Sequence, residues 1–406
     1  MKFSKQLILA ACICAAIMLL SACPRQDTDI QVKQSTYRFP IPAKGICYEA
    51  FGPGYNPSTA NLSAIYFGSD IARSQTEALW GNQTLLTNGT NDMCRNDLLT
   101  IQNILEANLV RLYDWDPRND HSQFLNYCNA LGLKAVVPIS NWLATQNATV
   151  WQAQLPNYFS SKNFGNANGT NWHPAIAGVV ITNEPLINNV NYDNVIALVG
   201  AFLKMAKQKG FSQDVLVGVP VAFTKAGPPY GPQQTLMPCW NQFDRLLNNP
   251  QTKPFKNQLM LCANTYNGAD YLYKNAEATQ QGWVPLTYNQ FNTPILFTEI
   301  GRSRMNGGSN FIYNQLTSTI KYQTKHPEQI LGPCLFMFSD KVWKEGTSEG
   351  SFGVYSHGSI KYQIPTIQKD YSYWPGPPCK KYGTLTIDKL IRTSIYSQVT
   401  MAYTYN

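Results

Sequence analysis

Two glutamates stand where apolar, β-branched runs stop. One closes Val179-Val180-Ile181-Thr182-Asn183-Glu184-Pro185, where a proline directly after the acid ends the strand; the other lies in Ile295-Leu296-Phe297-Thr298-Glu299-Ile300-Gly301. A lone glutamate in such a place is as readily a cap or an ion-pair partner. Two carboxylates facing one cleft supply what glycosidic cleavage needs: an acid of raised pKa protonates the leaving oxygen, and an ionised partner attacks the anomeric carbon.

Positioning such a pair requires strands whose C-terminal ends converge. Eight short runs read as strands: Gly45–Tyr48, Leu109–Tyr113, Lys134–Pro138, Ala177–Thr182, Val215–Val221, Leu259–Thr265, Pro294–Thr298 and Pro333–Phe338. Helical periodicity lies between several of them, in Asp97–Glu106, Ser122–Leu131, Val195–Gln208 and Asn314–Lys325. Eight β-then-α units predict an α/β fold, a (β/α)8 TIM barrel, with Glu184 and Glu299 ending the fourth and seventh strands. The Gly-, Asn-, Ser- and Thr-rich segment Ala50–Asp92 is expected as a long first βα loop at the active-site end. Its Tyr55, Asn61 and Tyr66, like Trp343 at the eighth strand, are candidates for acceptor sites. From Ile367 onward a Pro-rich stretch precedes a helix expected over Thr386–Ser397. The predicted organisation is a leader (1–22), a polar tether (23–36), one catalytic barrel (37–366) and a C-terminal extension packing on it (367–406).

Charged residues make up only 14% of the chain against roughly 25% in an average soluble protein, while 44% are hydrophobic, so the bulk of it is no disordered chain. The first 22 residues carry Lys2 and Lys5, no acid, and an apolar stretch ending in Leu20-Ser21-Ala22-Cys23. This resembles the signal peptide and lipobox of bacterial lipoproteins, which implies cleavage before Cys23, lipidation of Cys23, and a membrane-anchored exported protein. Sequons such as Asn61-Leu62-Ser63 and Asn88-Gly89-Thr90 leave a eukaryotic secreted protein as the alternative. Removing the leader leaves 406 − 22 = 384 residues and a net charge of +8 − 2 = +6, scattered too evenly for a nucleic-acid partner. A monomer is expected.

Of ten cysteines, seven remain as thiols in the mature chain: Cys47, Cys94, Cys128, Cys239, Cys262, Cys334 and Cys379. In an exported protein these are expected in disulfides rather than on a metal, and no zinc spacing occurs. No metal or cofactor is expected: P-loop, dinucleotide fingerprint and HExxH are absent. Gly346-Thr347-Ser348-Glu349-Gly350 fits the G-x-S-x-G elbow, but it lacks the strand before and the helix after that an esterase needs. Arg111 inside an apolar strand must have a partner, catalytic or structural, because an unpaired buried charge is too costly. Trp142, Trp172 and Trp343 are either sugar platforms or core.

Asn-Glu-Pro on the fourth strand with Thr-Glu-Ile-Gly on the seventh resembles the clan of retaining TIM-barrel glycoside hydrolases. Cys94-Arg95-Asn96-Asp97 with Val110-Arg111-Leu112-Tyr113-Asp114 is similar to the start of β-1,3-glucanosyltransferases (family 72). Phe338-Ser339-Asp340-Lys341-Val342-Trp343-Lys344 and Glu349-Gly350-Ser351-Phe352-Gly353-Val354-Tyr355 are similar to the last strand of β-1,3-glucanases (family 17), where Asp-Glu stands in place of Asp340-Lys341. The resemblance implies Glu184 as acid/base and Glu299 as nucleophile, with Asn183 binding the hydroxyl beside the reacting carbon. It further implies that Tyr266 holds the nucleophile, that Tyr113, Tyr48 and Trp343 line the subsite, and that Cys94 and Cys128 form a disulfide. The expected function is a retaining glycoside hydrolase or transglycosylase that cleaves a β-glucan, polysaccharide or oligosaccharide, with β-1,3 the expected linkage. The alternative is a surface lipoprotein that binds glycan on a barrel without turnover.

Overall fold

A computed structural model describes residues 37–52, 69–72, 76–81, 95–224, 237–307, 310–358, 361–365 and 384–404. The apolar runs form eight strands: β1 (Gly45–Cys47), β2 (Leu109–Arg111), β3 (Lys134–Ile139), β4 (Ile176–Ile181), β5 (Leu216–Ala222), β6 (Leu259–Thr265), β7 (Ile295–Ile300) and β8 (Ile330–Leu335). All pair in parallel and in chain order. Gly45 of β1 lies opposite Leu109 of β2 on one side and Cys334 of β8 on the other, which closes the barrel.

A main helix follows each strand: α1 (Asp97–Leu99, continuing as a π-helical turn over Thr100–Ile104), α2 (Ser122–Ala130), α3 (Ala148–Tyr158), α4 (Tyr192–Gln208), α5 (Trp240–Asn248), α6 (Trp283–Phe291), α7 (Phe311–Lys325) and α8 (Ser394–Tyr403), with shorter helices at Glu77–Trp80, Asn141–Thr145 and Ala269–Tyr273. The sequence dictates α4 most plainly. Asn191 caps it by accepting from the Asp193 N–H, and Val195, Leu198, Val199, Phe202 and Ala206 recur three and four apart to form the buried stripe. The expected (β/α)8 TIM barrel is the observed fold.

Period-two alternation sorts the strand residues into two cores. Cys47, Leu109, Val136, Val180, Met260, Cys262, Leu296 and Cys334 fill the barrel, and Ile46, Val110, Val137, Val179, Leu261 and Phe297 pack outward with the helices. Phe39 belongs to the inner core and lies against Gly178, where an added Cβ would come within 2.8 Å of its ring; only glycine leaves room for that plug.

Two expectations change here. The helix predicted over Thr386–Ser397 begins at Ser394, because Thr384–Asp388 alternates as a strand and Thr393 caps the helix by accepting from the Ile395 N–H. This α8 is the barrel's own eighth helix. It packs along α7, buries Ile395, Val399, Ala402 and Tyr403, and ties to β1 through the Tyr403 hydroxyl on the Gly45 carbonyl and the Lys44 ammonium on the Tyr403 carbonyl. Between β8 and α8, two small antiparallel pairs form: β9 (Tyr355–Ser356) with β12 (Ile391–Arg392), and β10 (Lys361–Pro365) with β11 (Thr384–Asp388).

The second concerns the cysteines. Cys47, Cys128, Cys239, Cys262 and Cys334 are buried free thiols, and burial pushes the Cys47 thiol up to about 12. Three of them are inward-facing barrel residues that behave as small hydrophobes. Cys94, the implied partner of Cys128, lies outside the described residues, as do Cys379, Cys23, the leader, the tether, and Tyr55, Asn61 and Tyr66. No helix among the described residues is long and apolar enough to cross a membrane.

Candidate active site

The C-terminal ends of the strands open into a cleft of about 700 Å³, lined among others by Glu49, Tyr113, Asp114, Asn183, Glu184, Tyr266, Glu299, Lys341 and Trp343. Alternation on β2 turns Arg111 and Tyr113 inward. On β7 it would turn Glu299 outward, since Phe297, two residues earlier, packs among the helices. A bulge corrects this. Ala263 faces Phe297 while Asn264 faces Glu299, so one residue is skipped and the carboxylate swings into the cleft. At the end of β4, Thr182 and Glu184 take left-handed φ values of 67° and 47°, and the Glu184 N–H is held by the Pro220 carbonyl at 2.9 Å. A β-branched residue in that conformation is strained, and the strain sits where the chain re-aims Asn183 and Glu184.

The two carboxylates have opposite surroundings. Glu299 is buried and accepts three hydrogen bonds: Tyr113 Oη and Arg111 Nη1 donate to Oε1 at 2.9 and 3.3 Å, and Tyr266 Oη donates to Oε2 at 2.8 Å. All three stabilise the anion. Arg111, fully buried, stacks its guanidinium 3.5 Å above the Tyr113 ring and donates from Nη2 to Asn183 Oδ1 at 2.8 Å. Its partners are therefore cleft residues. Glu184 has no such cation on it; burial, then the charge of Glu299, raises its pKa above the usual carboxylate range. One carboxylate thus gathers three donors while its neighbour has its pKa raised, a contrast of the kind that separates a nucleophile from an acid.

Asn183 is fixed on both sides. Its Oδ1 accepts from Arg111 and from Asn264 Nδ2 at 3.1 Å, its N–H donates to Asn141 Oδ1 at 2.7 Å, and Asn141 Nδ2 returns a bond to its carbonyl at 3.1 Å. Asn264 is oriented in turn by Thr298 Oγ1, 2.7 Å from its Oδ1. With both acceptor positions engaged, the Asn183 amide nitrogen is left to donate into the cleft.

The structure thus brings Glu184, Glu299, Asn183, Tyr113, Tyr266 and Trp343 together. Trp343 lines the cleft with its edge on Phe51, ring centroids 4.6 Å apart. Tyr48 stands elsewhere: as the outward residue after Cys47 it is buried behind the barrel wall and donates to Asp97 Oδ2 at 2.9 Å. Trp172 is core, packed on Phe159 and Phe211, and Trp142 is likewise buried. Ser348 of the G-x-S-x-G run begins a short 3-10 turn, not a strand-to-helix elbow.

Glu49, Asp114 and Asn141 of the cleft wall, and Asn264 buried behind it, are among the residues that escaped the sequence reading. Alternation carried one step past β1 marks Glu49 as inward, and Asn264 follows from Met260 and Cys262 on β6 in the same way. Asp114 Oδ2 accepts from both Ser69 N and Oγ at 2.8 Å, so the first βα loop does reach the cleft. Among the described residues, no group of three His, Cys, Asp or Glu is placed to hold a metal ion.

Comparison of the fold finds structures of Saccharomyces cerevisiae Gas2p. In complex with laminaritetraose and laminaripentaose it matches at 14% identity and a TM-score of 0.50, covering 89% of this chain and 63% of that one. The complex with laminaripentaose matches at 14% identity and 0.52, covering 92% and 66%. A third, with laminaritriose and laminaritetraose, gives 13% and 0.51, covering 89% and 64%. The chain thus spans about two thirds of those proteins, and at such identities the likeness establishes the barrel architecture. No protein-family model matches the sequence, and no curated protein matches it.

Proposed function

We propose that this chain is a retaining glycoside hydrolase or transglycosylase acting on β-1,3-linked glucan, with Glu184 as acid/base and Glu299 as nucleophile. The observation that carries the reading is the contrast between the two carboxylates: three donors converge on Glu299, while burial first and the neighbouring Glu299 second raise the pKa of Glu184. Glu184 gives its proton to the leaving oxygen while Glu299 attacks the anomeric carbon. Glu184, now the base, then takes a proton from water or an incoming sugar hydroxyl, which displaces Glu299 and retains the configuration. Tyr266 and Tyr113 fix the attacking oxygens, and the Asn183 amide binds the neighbouring hydroxyl. The β-1,3 assignment rests on the laminari-oligosaccharides held by structures of similar fold and on the sequence resemblance.

Glu299→Ala tests it on laminari-oligosaccharides and on activated aryl β-glucosides. Turnover falls by about 10⁴-fold or more, and azide, entering the space left by the carboxylate, restores part of it as a glycosyl azide of inverted configuration. Wild-type turnover unaffected by the substitution sinks the assignment; glycan binding with no turnover in the wild type points instead to a silent binding barrel. Incubating a laminari-oligosaccharide at high concentration separates the two outcomes of the second step. Products longer than the starting material mark transfer, and shorter products alone mark hydrolysis.

A further inference from the structure

Lys341 and Glu49 face each other across the β8–β1 seam of the cleft. The Lys341 ammonium lies 3.4 Å from Glu49 Oε1, within hydrogen-bonding geometry, and 3.1 Å from Oε2, outside it. Glu49 Oε2 is consequently a buried oxygen that accepts no hydrogen bond, on a side chain nine-tenths buried. Such an atom costs stability unless a donor reaches it. The ammonium is held in place by more than its partner: the ring centroids of Phe336, Tyr113 and Trp343 lie 5.1, 5.4 and 5.8 Å away. It has three N–H groups and one carboxylate to satisfy. The pair therefore offers a fixed donor and an unfilled acceptor side by side, which a hydroxyl, being both donor and acceptor, completes.

The place of the pair says which hydroxyl. β8, β1 and β2 are neighbours in the barrel, and Glu184 follows β4 on the opposite side. A pyranose whose anomeric carbon meets Glu299 and whose leaving oxygen points to Glu184 turns its far edge, the one carrying C4, toward β8 and β1. We infer that Glu49 and Lys341 are specificity residues that grip the C4 hydroxyl of a neutral hexopyranose at the reacting position, an inference resting on the glycosidase reading above. Glu49 accepts from that hydroxyl and Lys341 donates to it. An acidic sugar is disfavoured there, because Glu49 already balances the lysine.

The test compares kcat/KM for aryl β-laminariosides whose sugar next to the aryl group is glucose, 4-deoxyglucose, galactose or glucuronic acid. Wild type loses about 100-fold on removal or inversion of the C4 hydroxyl, since the analogue leaves a buried charged pair without its partner. In the Glu49→Gln/Lys341→Met double variant, which strands no charge and so keeps its fold, the same change costs less than about fivefold. A double variant that keeps the full wild-type discrimination overturns the inference, as does a wild type that prefers the glucuronide. A wild type silent on every one of these glycosides refutes the glycosidase reading itself.

Discussion

Glu184 and Glu299 are the same residue type, and their neighbours set them apart. With Glu184 as the proposed acid, which must hold a proton to act, activity is expected to persist below its pKa and to be lost as pH rises through it. Burial first, and the charge on Glu299 second, raise that pKa, so the basic limb of kcat/KM is expected above the ordinary glutamate range near ~4.3. Glu184→Gln should abolish that limb and natural-substrate turnover while sparing substrates with activated leaving groups; pH–rate profiles of both proteins check it. Asp114 carries a different consequence. Burial lifts its pKa to about 7 against the bonds from Ser69. The folded state therefore holds a proton that the unfolded chain has released above its own pKa near ~3.9, and stability falls as pH rises from there toward 7. Asp114→Asn keeps an acceptor for Ser69 and removes the buried charge, so it should raise Tm at pH 8 by about 2–4 °C and leave it unchanged at pH 4. Thermal unfolding at the two pH values decides; an equal shift at both would show that the charge is not the cause.

At the scale of elements, the segment between β8 and α8 builds one wall of the cleft and is tied down by Asp388. Its carboxylate receives Arg95 Nη1 at 3.0 Å, His357 Nδ1 at 3.0 Å and the Gly358 N–H at 2.8 Å. His357 reaches on to the Asp340 carbonyl at 3.1 Å, and Asp340 pairs with both Nη atoms of Arg304 and with the Gly353 N–H. Lys341 and Trp343 follow directly, so the wall inherits its position from a strand almost fifty residues downstream. Asp388→Ala removes a buried carboxylate from between Arg95 and His357 and should cost about 3–5 kcal/mol. It should also raise KM for oligosaccharides more than it lowers kcat, because Glu184 and Glu299 stand on other strands. Denaturant unfolding and steady-state kinetics measure the two effects, and an unchanged KM would place the segment outside the binding cleft.

For the whole molecule, the leader and polar stretch read from the sequence precede the barrel in the chain. We propose that the mature protein starts at Cys23, acylated, with the polar residues up to Ser35 spacing lipid from barrel. Cys23→Ser should then move the protein from the membrane fraction to the soluble exported fraction with kcat/KM unchanged. Fractionation followed by an assay of both pools tests this, and a protein still wholly in the membrane fraction would refute it.

Much of this molecule is written locally in its sequence. Strands and helices announce themselves by periods of two and 3.6, and a strand-ending Asn-Glu-Pro or Thr-Glu-Ile-Gly marks its acid without knowledge of any neighbour. Alternation alone would have placed Tyr48 outside the barrel and Glu49 inside. The direction of Glu299 is another matter: the bulge opposite Asn264 reverses the alternation of β7, and it exists only as a mismatch in register between two strands. The partners of Arg111 are 72 and 188 residues away, and the eighth helix stands behind a long connection that hides its place in the count. The free thiols Cys47, Cys262 and Cys334 follow the same rule, since their place in the barrel interior is set by the strands that close it and not by their spacing. Local chemistry determined which residues could act. Only closure of the barrel, which brings the ends of distant strands within hydrogen-bond reach, decided that three donors converge on one glutamate while burial raises the pKa of the other.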